Sequence, residues 1–132
     1  MRFIPTKVHG VLDYVVAVAL IFAPLIFGFS SVGGAAVIVP IVLGVGLILY
    51  SLFTRYELGA IKLIAMPVHL VFDLVASLFL IASPFLFGFI NQAPNAWLPH
   101  IVVGVAVIVV VAFSQPAPGR SVSATGHSAR TA

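Results

Sequence analysis

Apolar residues fall into four long blocks, from about Val8 to Phe29, Val37 to Phe53, Val68 to Phe89 and Trp97 to Phe113. Each is near the roughly 17 to 25 residues with which a helix crosses a bilayer core. Ser30 to Ala36 and Ile90 to Ala96 bring Gly, Ser, Asn and Pro between blocks and read as short turns. The remaining joint, Thr54 to Pro67, carries Arg55, Glu57 and Lys62. Pro24 and Pro84 sit well along the first and third blocks, where each removes a backbone donor and predicts a kink or an end to the regular helix. Lipid tolerates that only if neighbouring groups satisfy the freed carbonyls.

The pattern repeats itself at an offset of 60 residues. VHGVLDYVVAVALIFAPLIFGF, from Val8, aligns without gaps to VHLVFDLVASLFLIASPFLFGF, from Val68. The polar positions align too: His9 with His69, Asp13 with Asp73, Pro24 with Pro84, and Gly28 with Gly88 inside the FGF triplets. The second and fourth blocks match more loosely, through Gly44 and Gly104. An even number of spans separates the copies, so they share one orientation and relate by an axis along the membrane normal. The expected fold is therefore all-α, a polytopic membrane four-helix bundle made of two tandem, parallel-repeat helical hairpins. It would occupy residues 1–114, with repeats at about 5–54 and 65–114, followed by a flexible cytoplasmic tail over 115–132.

The paired APLIFGF and SPFLFGF segments resemble the SPW repeat of small bacterial integral membrane proteins. Ser83 and Pro84 match the motif, Phe85 stands in place of its tryptophan, and the first copy reads Ala23, Pro24, Leu25. The repeat-motif residues are Pro24, Gly28, Ser83, Pro84 and Gly88. The resemblance covers most of residues 5–113. It implies a bacterial membrane location and two helices per repeat, and it implies no activity, substrate or cofactor.

Charge sets the topology. Only 7% of the 132 residues are charged, against about a quarter in ordinary soluble domains. The basic residues Arg2, Lys7, Arg55, Lys62, Arg120 and Arg130 all fall on one side of the proposed spans, and the two opposite loops carry no charge. The positive-inside rule then places both termini and the middle loop in the cytoplasm, and the bacterial location that the resemblance implies makes the membrane the inner one. Tyr50 and Trp97 are expected as interfacial anchors. Asp13 interrupts the first block and no small-residue cleavage site follows, so the first helix is expected to be retained.

Composition excludes several classes of function. There is no cysteine, which removes disulfides, thiolate metal sites and thiol redox chemistry. A net charge of +3 is spread too thinly to form a nucleic-acid patch. No phosphate-binding glycine loop and no nucleophile elbow is visible, so an enzyme is not expected. Ser114 to Ala132 has too little apolar content to fold alone.

The remaining chemistry lies in two HxxxD pairs, His9 with Asp13 and His69 with Asp73. Residues four apart share a helix face, with Cβ atoms about 5 to 6 Å apart. Intramembrane acids are costly in lipid and should face the bundle. A structural reading has each Asp fix its own His and cross-link the hairpins. A His beside a carboxylate could instead relay protons. Two His and two Asp could also take a divalent cation such as zinc, although HxxxD alone is a weak metal signature. Bis-histidine haem ligation by His9 and His69 is weaker still. The structural reading is preferred, with no cofactor or metal expected. A small proton- or cation-linked transporter or channel is the alternative, and four helices would then require a homo-oligomer. The lipid bilayer is the expected partner; an ion or small-molecule ligand and the oligomeric state are left open. Gly44, Gly46 and Gly104 are expected to let helices pack closely. His100 is expected at the interface, and Arg55 with Glu57 as a solvated loop pair.

Overall fold

The computed structural model describes residues 1–119. Four helices, α1 (Thr6–Ile26), α2 (Gly34–Leu52), α3 (Met66–Leu86) and α4 (Pro94–Phe113), make up most of it, with single 3-10 turns at Ser30–Val32 and Phe89–Asn91. All four are long and apolar enough to cross a membrane. The helices start two or three residues before the apolar blocks do. Pro67 and Pro94 occupy the first helical turns of α3 and α4, where a missing N–H costs nothing.

Helices α1 and α2 form one intimate hairpin and α3 and α4 another, and the hairpins meet chiefly through α2 against α3. Helices α1 and α3 are both 21 residues long and start at repeat-related positions, Thr6 and Met66. Val8, Val11, Val15, Val18 and Phe22 stay about half exposed along one face of α1. Spacings of three and four make that stripe a continuous lipid-facing surface. Gly44 allows the close approach inside the first hairpin, because a Cβ there would stand 2.7 Å from the Ala17 carbonyl oxygen. Gly104 does the same in the second, 2.9 Å from the Ser77 carbonyl oxygen. Gly46 meets nothing within 4 Å, so the packing role expected of it is not found.

The repeat motif has a local explanation. Pro24 and Pro84 lie in the last turn of α1 and α3, so each helix ends just past its proline. Pro84 cannot donate to Leu80, and the Ser83 hydroxyl takes that carbonyl at 2.7 Å instead. Ala23 offers no such group in the first copy. Gly28 and Gly88 then adopt φ of 72° and 76°, the left-handed conformation that closes a helix C-terminus. After Gly28 the Phe29 amide returns to the Pro24 carbonyl at 2.9 Å. That turn sends the two phenylalanines of each triplet opposite ways. Phe27 and Phe87 are exposed, whereas Phe29 and Phe89 are buried with Ala23, Ala36 and Ala96.

At the other end, which carries both the start of α1 and the end of α4, a backbone clasp is duplicated. The Ile4 amide donates to Phe113 at 2.9 Å and the Ile64 amide to Phe53 at 2.7 Å; the Gln115 amide donates to Ile4 at 2.9 Å and the Arg55 amide to Ile64 at 2.7 Å. Each clasp joins the segment entering one hairpin to the segment leaving a hairpin, at positions related by the repeat. The first residue of the expected tail, Gln115, is thereby tied to Ile4. Residues 120–132 of that tail lie outside the described residues.

Candidate functional site

The two HxxxD pairs meet at the clasped end of the bundle. His9, Asp13, His69 and Asp73 are all buried, at no more than 6% exposure, and each occupies the bundle-facing side of the first turns of α1 or α3. They do not form two separate couples. His9 Nε2 lies 3.1 Å from its own Asp13 but 2.9 Å from Asp73 of the other repeat, and His69 Nε2 lies 3.2 Å from its own Asp73 but 3.0 Å from Asp13. The pairing is crossed, with the shorter contact in each case running between repeats. The imidazole rings stand edge to face, 5.3 Å apart.

Hydroxyl groups complete the arrangement. Thr54 Oγ1 donates to the Tyr50 carbonyl at 2.6 Å and meets His69 Nδ1 at 2.7 Å. Ser114 Oγ donates to the Val110 carbonyl at 2.6 Å and meets His9 Nδ1 at 2.6 Å. A hydroxyl has one hydrogen, already given to the carbonyl four residues back, so each oxygen accepts from the imidazole. Both Nδ1 atoms are therefore N–H donors. Each histidine is held by a hydroxyl at the C-terminal end of the other hairpin, since Thr54 closes repeat one and Ser114 closes repeat two. Two tyrosines cap the carboxylates: Tyr50 donates to Asp73 Oδ1 at 2.5 Å and Tyr56 to Asp13 Oδ2 at 2.8 Å. Tyr56, in the loop after α2, is almost wholly buried; burial, with Asp13 beside it, pushes its phenol above the usual range and keeps it a donor. Neither tyrosine has a counterpart 60 residues on, where Val110 and Pro116 stand, so the pseudo-symmetry of the site stops at the hydroxyls.

Above this floor a cavity of about 250 Å³ rises between all four helices. His9, Asp13, Tyr50, Asp73 and Ser77 supply its polar atoms, and every other lining residue is leucine, valine or alanine. A cavity so lined tends to stay dry.

Several expectations need correction. Tyr50 is not an interfacial anchor, because its hydroxyl turns inward to Asp73. Trp97 keeps its place in the first turn of α4, partly buried against the Ala23, Phe29 and Ala36 cluster. His100 is not interfacial either: it is 1% exposed, packed against Phe89 at 4.8 Å, with Nε2 3.0 Å from the Ala36 carbonyl. Pro40 explains that bond, since it cannot donate to Ala36 four residues earlier and the histidine does so instead. Arg55 and Glu57 take separate partners, the Lys62 carbonyl for Arg55 at 3.2 Å and the Thr6 hydroxyl for Glu57 at 2.8 Å. Sequence reading overlooked Thr54, Ser114 and Tyr56 entirely. Thr54 and Ser114 stand 60 residues apart, so the repeat itself carried the signal for two of the three.

These features define a multi-pass membrane protein whose two hairpin repeats share one polar centre. The SPW repeat domain matches residues 7–114, more than half of the chain, and the protein belongs to that family. No curated protein and no solved structure matches it.

Proposed function

We propose that the protein is a non-enzymatic structural or accessory component of a bacterial inner membrane, with both termini cytoplasmic, in which the HxxxD pairs act as a clamp between the two repeats. The crossed His–Asp contacts carry this reading. A pair serving only its own helix would leave the hairpins joined by apolar packing, and apolar packing has little drive in lipid. Crossed contacts between buried polar groups supply the missing attachment. The duplicated backbone clasp supports the same role from the loop side.

The clamp predicts that Asp13→Asn and Asp73→Asn each lower thermal stability in detergent; unchanged stability in both would remove the proposal. Orientation rests on the basic residues at the clasped end. A cysteine at Ser31 should react with an impermeant reagent added outside intact cells, and a cysteine at Lys62 should not.

A small proton- or cation-linked transporter or channel is the second reading, favoured by one observation, the cavity that touches His9, Asp13 and Asp73. Its apolar walls argue for the clamp. Proteoliposome flux decides between them: flux lost in a folded Asp13→Asn/Asp73→Asn double variant would establish a pathway, and no flux above empty liposomes would leave the clamp.

A further inference from the structure

We propose that the clamp is a binding site for one divalent transition-metal ion of the zinc type, ligated by His9 Nε2, His69 Nε2 and one carboxylate oxygen each from Asp13 and Asp73. The inference rests on the clamp reading and names its ligand. One candidate ligand atom from each of the four residues can be chosen so that all lie within 4.8 Å of one another, and the four His–Asp contacts around the ring measure 2.9 to 3.2 Å. Ligands about 2.0 to 2.1 Å from a tetrahedral ion stand about 3.3 Å apart. His9 and His69 meet different oxygens of Asp13, Oδ1 and Oδ2, so with one oxygen per carboxylate the separations reach up to 4.8 Å, and the set closes on an ion by moving the widest atoms together by about 1.5 Å.

A second observation points to a ligand independently. His69 Nε2 is fully buried and, although near both carboxylates, meets neither with hydrogen-bond geometry. Its other nitrogen is committed as a donor to Thr54, as His9 Nδ1 is to Ser114. That is the outer-shell arrangement by which a histidine is fixed with Nε2 facing a metal. Tyr50 and Tyr56 hold the carboxylates in the same manner. Charge completes the case: the two carboxylates carry −2, and one dication neutralises them with both imidazoles uncharged. Imidazole and carboxylate without thiolate suit zinc and its first-row neighbours rather than calcium or magnesium. One proton on each Nε2 would also neutralise the site, and the experiment separates that case.

The full chain carrying His127→Gln, which removes a tail histidine, is purified in detergent, stripped with chelator and checked for helicity. It is then titrated with Co²⁺ under visible absorption, followed by Zn²⁺ competition and elemental analysis. The expected result is one ion per chain, visible bands of four-coordinate cobalt displaced by zinc, and a rise in melting temperature that chelator reverses. His69→Gln should weaken binding at least 100-fold. Thr54→Val, which leaves all four ligands in place, should weaken it by about 10- to 100-fold. A folded, stripped protein that takes up neither ion at millimolar concentration overturns the metal site, and the clamp then stands as a protonated His–Asp lattice. Binding that survives His69→Gln unchanged overturns it as well. If instead Asp13→Asn and Asp73→Asn leave the stripped protein as stable as before, it is the clamp itself that fails.

Discussion

Replacing Thr54 by valine isolates one bond of the site at almost constant shape. Thr54 is fully buried, and its hydroxyl both accepts from His69 Nδ1 and donates to the Tyr50 carbonyl. Valine keeps the volume and removes the acceptor, so the imidazole N–H is left unpaired beside apolar atoms. An orphaned buried donor costs about 1–3 kcal/mol, whereas the average interhelical hydrogen bond measured in a membrane protein contributes only about 0.6 kcal/mol. The structure favours the upper range, because 0% of the His69 surface is exposed and no water can replace the hydroxyl. The Tyr50 carbonyl, having lost a back-bond from a side chain, keeps its place at the end of the helix and adds little. A loss of about 2 kcal/mol is expected for Thr54→Val, with most of it recovered in Thr54→Ser. Equilibrium unfolding in mixed micelles, with a cosolubilising detergent and increasing dodecyl sulfate, measures it. Ser114→Ala should behave alike at the repeat-related position. Losses below about 0.5 kcal/mol for both Thr54→Val and Ser114→Ala would refute the assignment of these hydroxyls as histidine acceptors.

Gly44→Ala should destabilise by about 1–3 kcal/mol through collision with the Ala17 backbone, while Gly46→Ala, with open space around it, should be neutral or slightly stabilising; the same unfolding assay compares them, and equal effects would show that α1 and α2 are not in this close contact. Ser83→Ala should cost only about 0.6 kcal/mol, since the first repeat already tolerates alanine at the matching Ala23, and a loss several times larger would assign the serine a role beyond satisfying Leu80.

The helices were legible because lipid demands long apolar segments and the repeat doubled every signal. Gly28, Gly88 and the prolines announced where α1 and α3 end. The exact starts were less legible, since Pro67 and Pro94 lie outside the apolar blocks yet begin helices. Spacing alone located the four residues of the centre, because it brings His9 to Asp13 and His69 to Asp73 on one turn. Spacing could not show that each histidine's shorter contact is crossed. That depends on how the two hairpins dock, and no periodicity within one helix records it. Tyr50 and His100 were misplaced for a related reason. An amphipathic ring near a span end suits the interface in general, but here Asp73 and the carbonyl freed by Pro40 offer each a buried partner. Thr54 and Ser114 were overlooked because their role arises only where docking brings the opposite repeat's histidine to each.

The central claim is that the two repeats are joined through crossed His–Asp contacts, and a double-mutant cycle between His9→Gln and Asp73→Asn tests it most directly. These residues are 64 positions apart in sequence, and His9 Nε2 lies 2.9 Å from Asp73 Oδ2. The account predicts a coupling energy above about 1.5 kcal/mol, in the range for neighbours within one buried network. Coupling within about 0.5 kcal/mol of zero, the additive behaviour of distant sites, would contradict it.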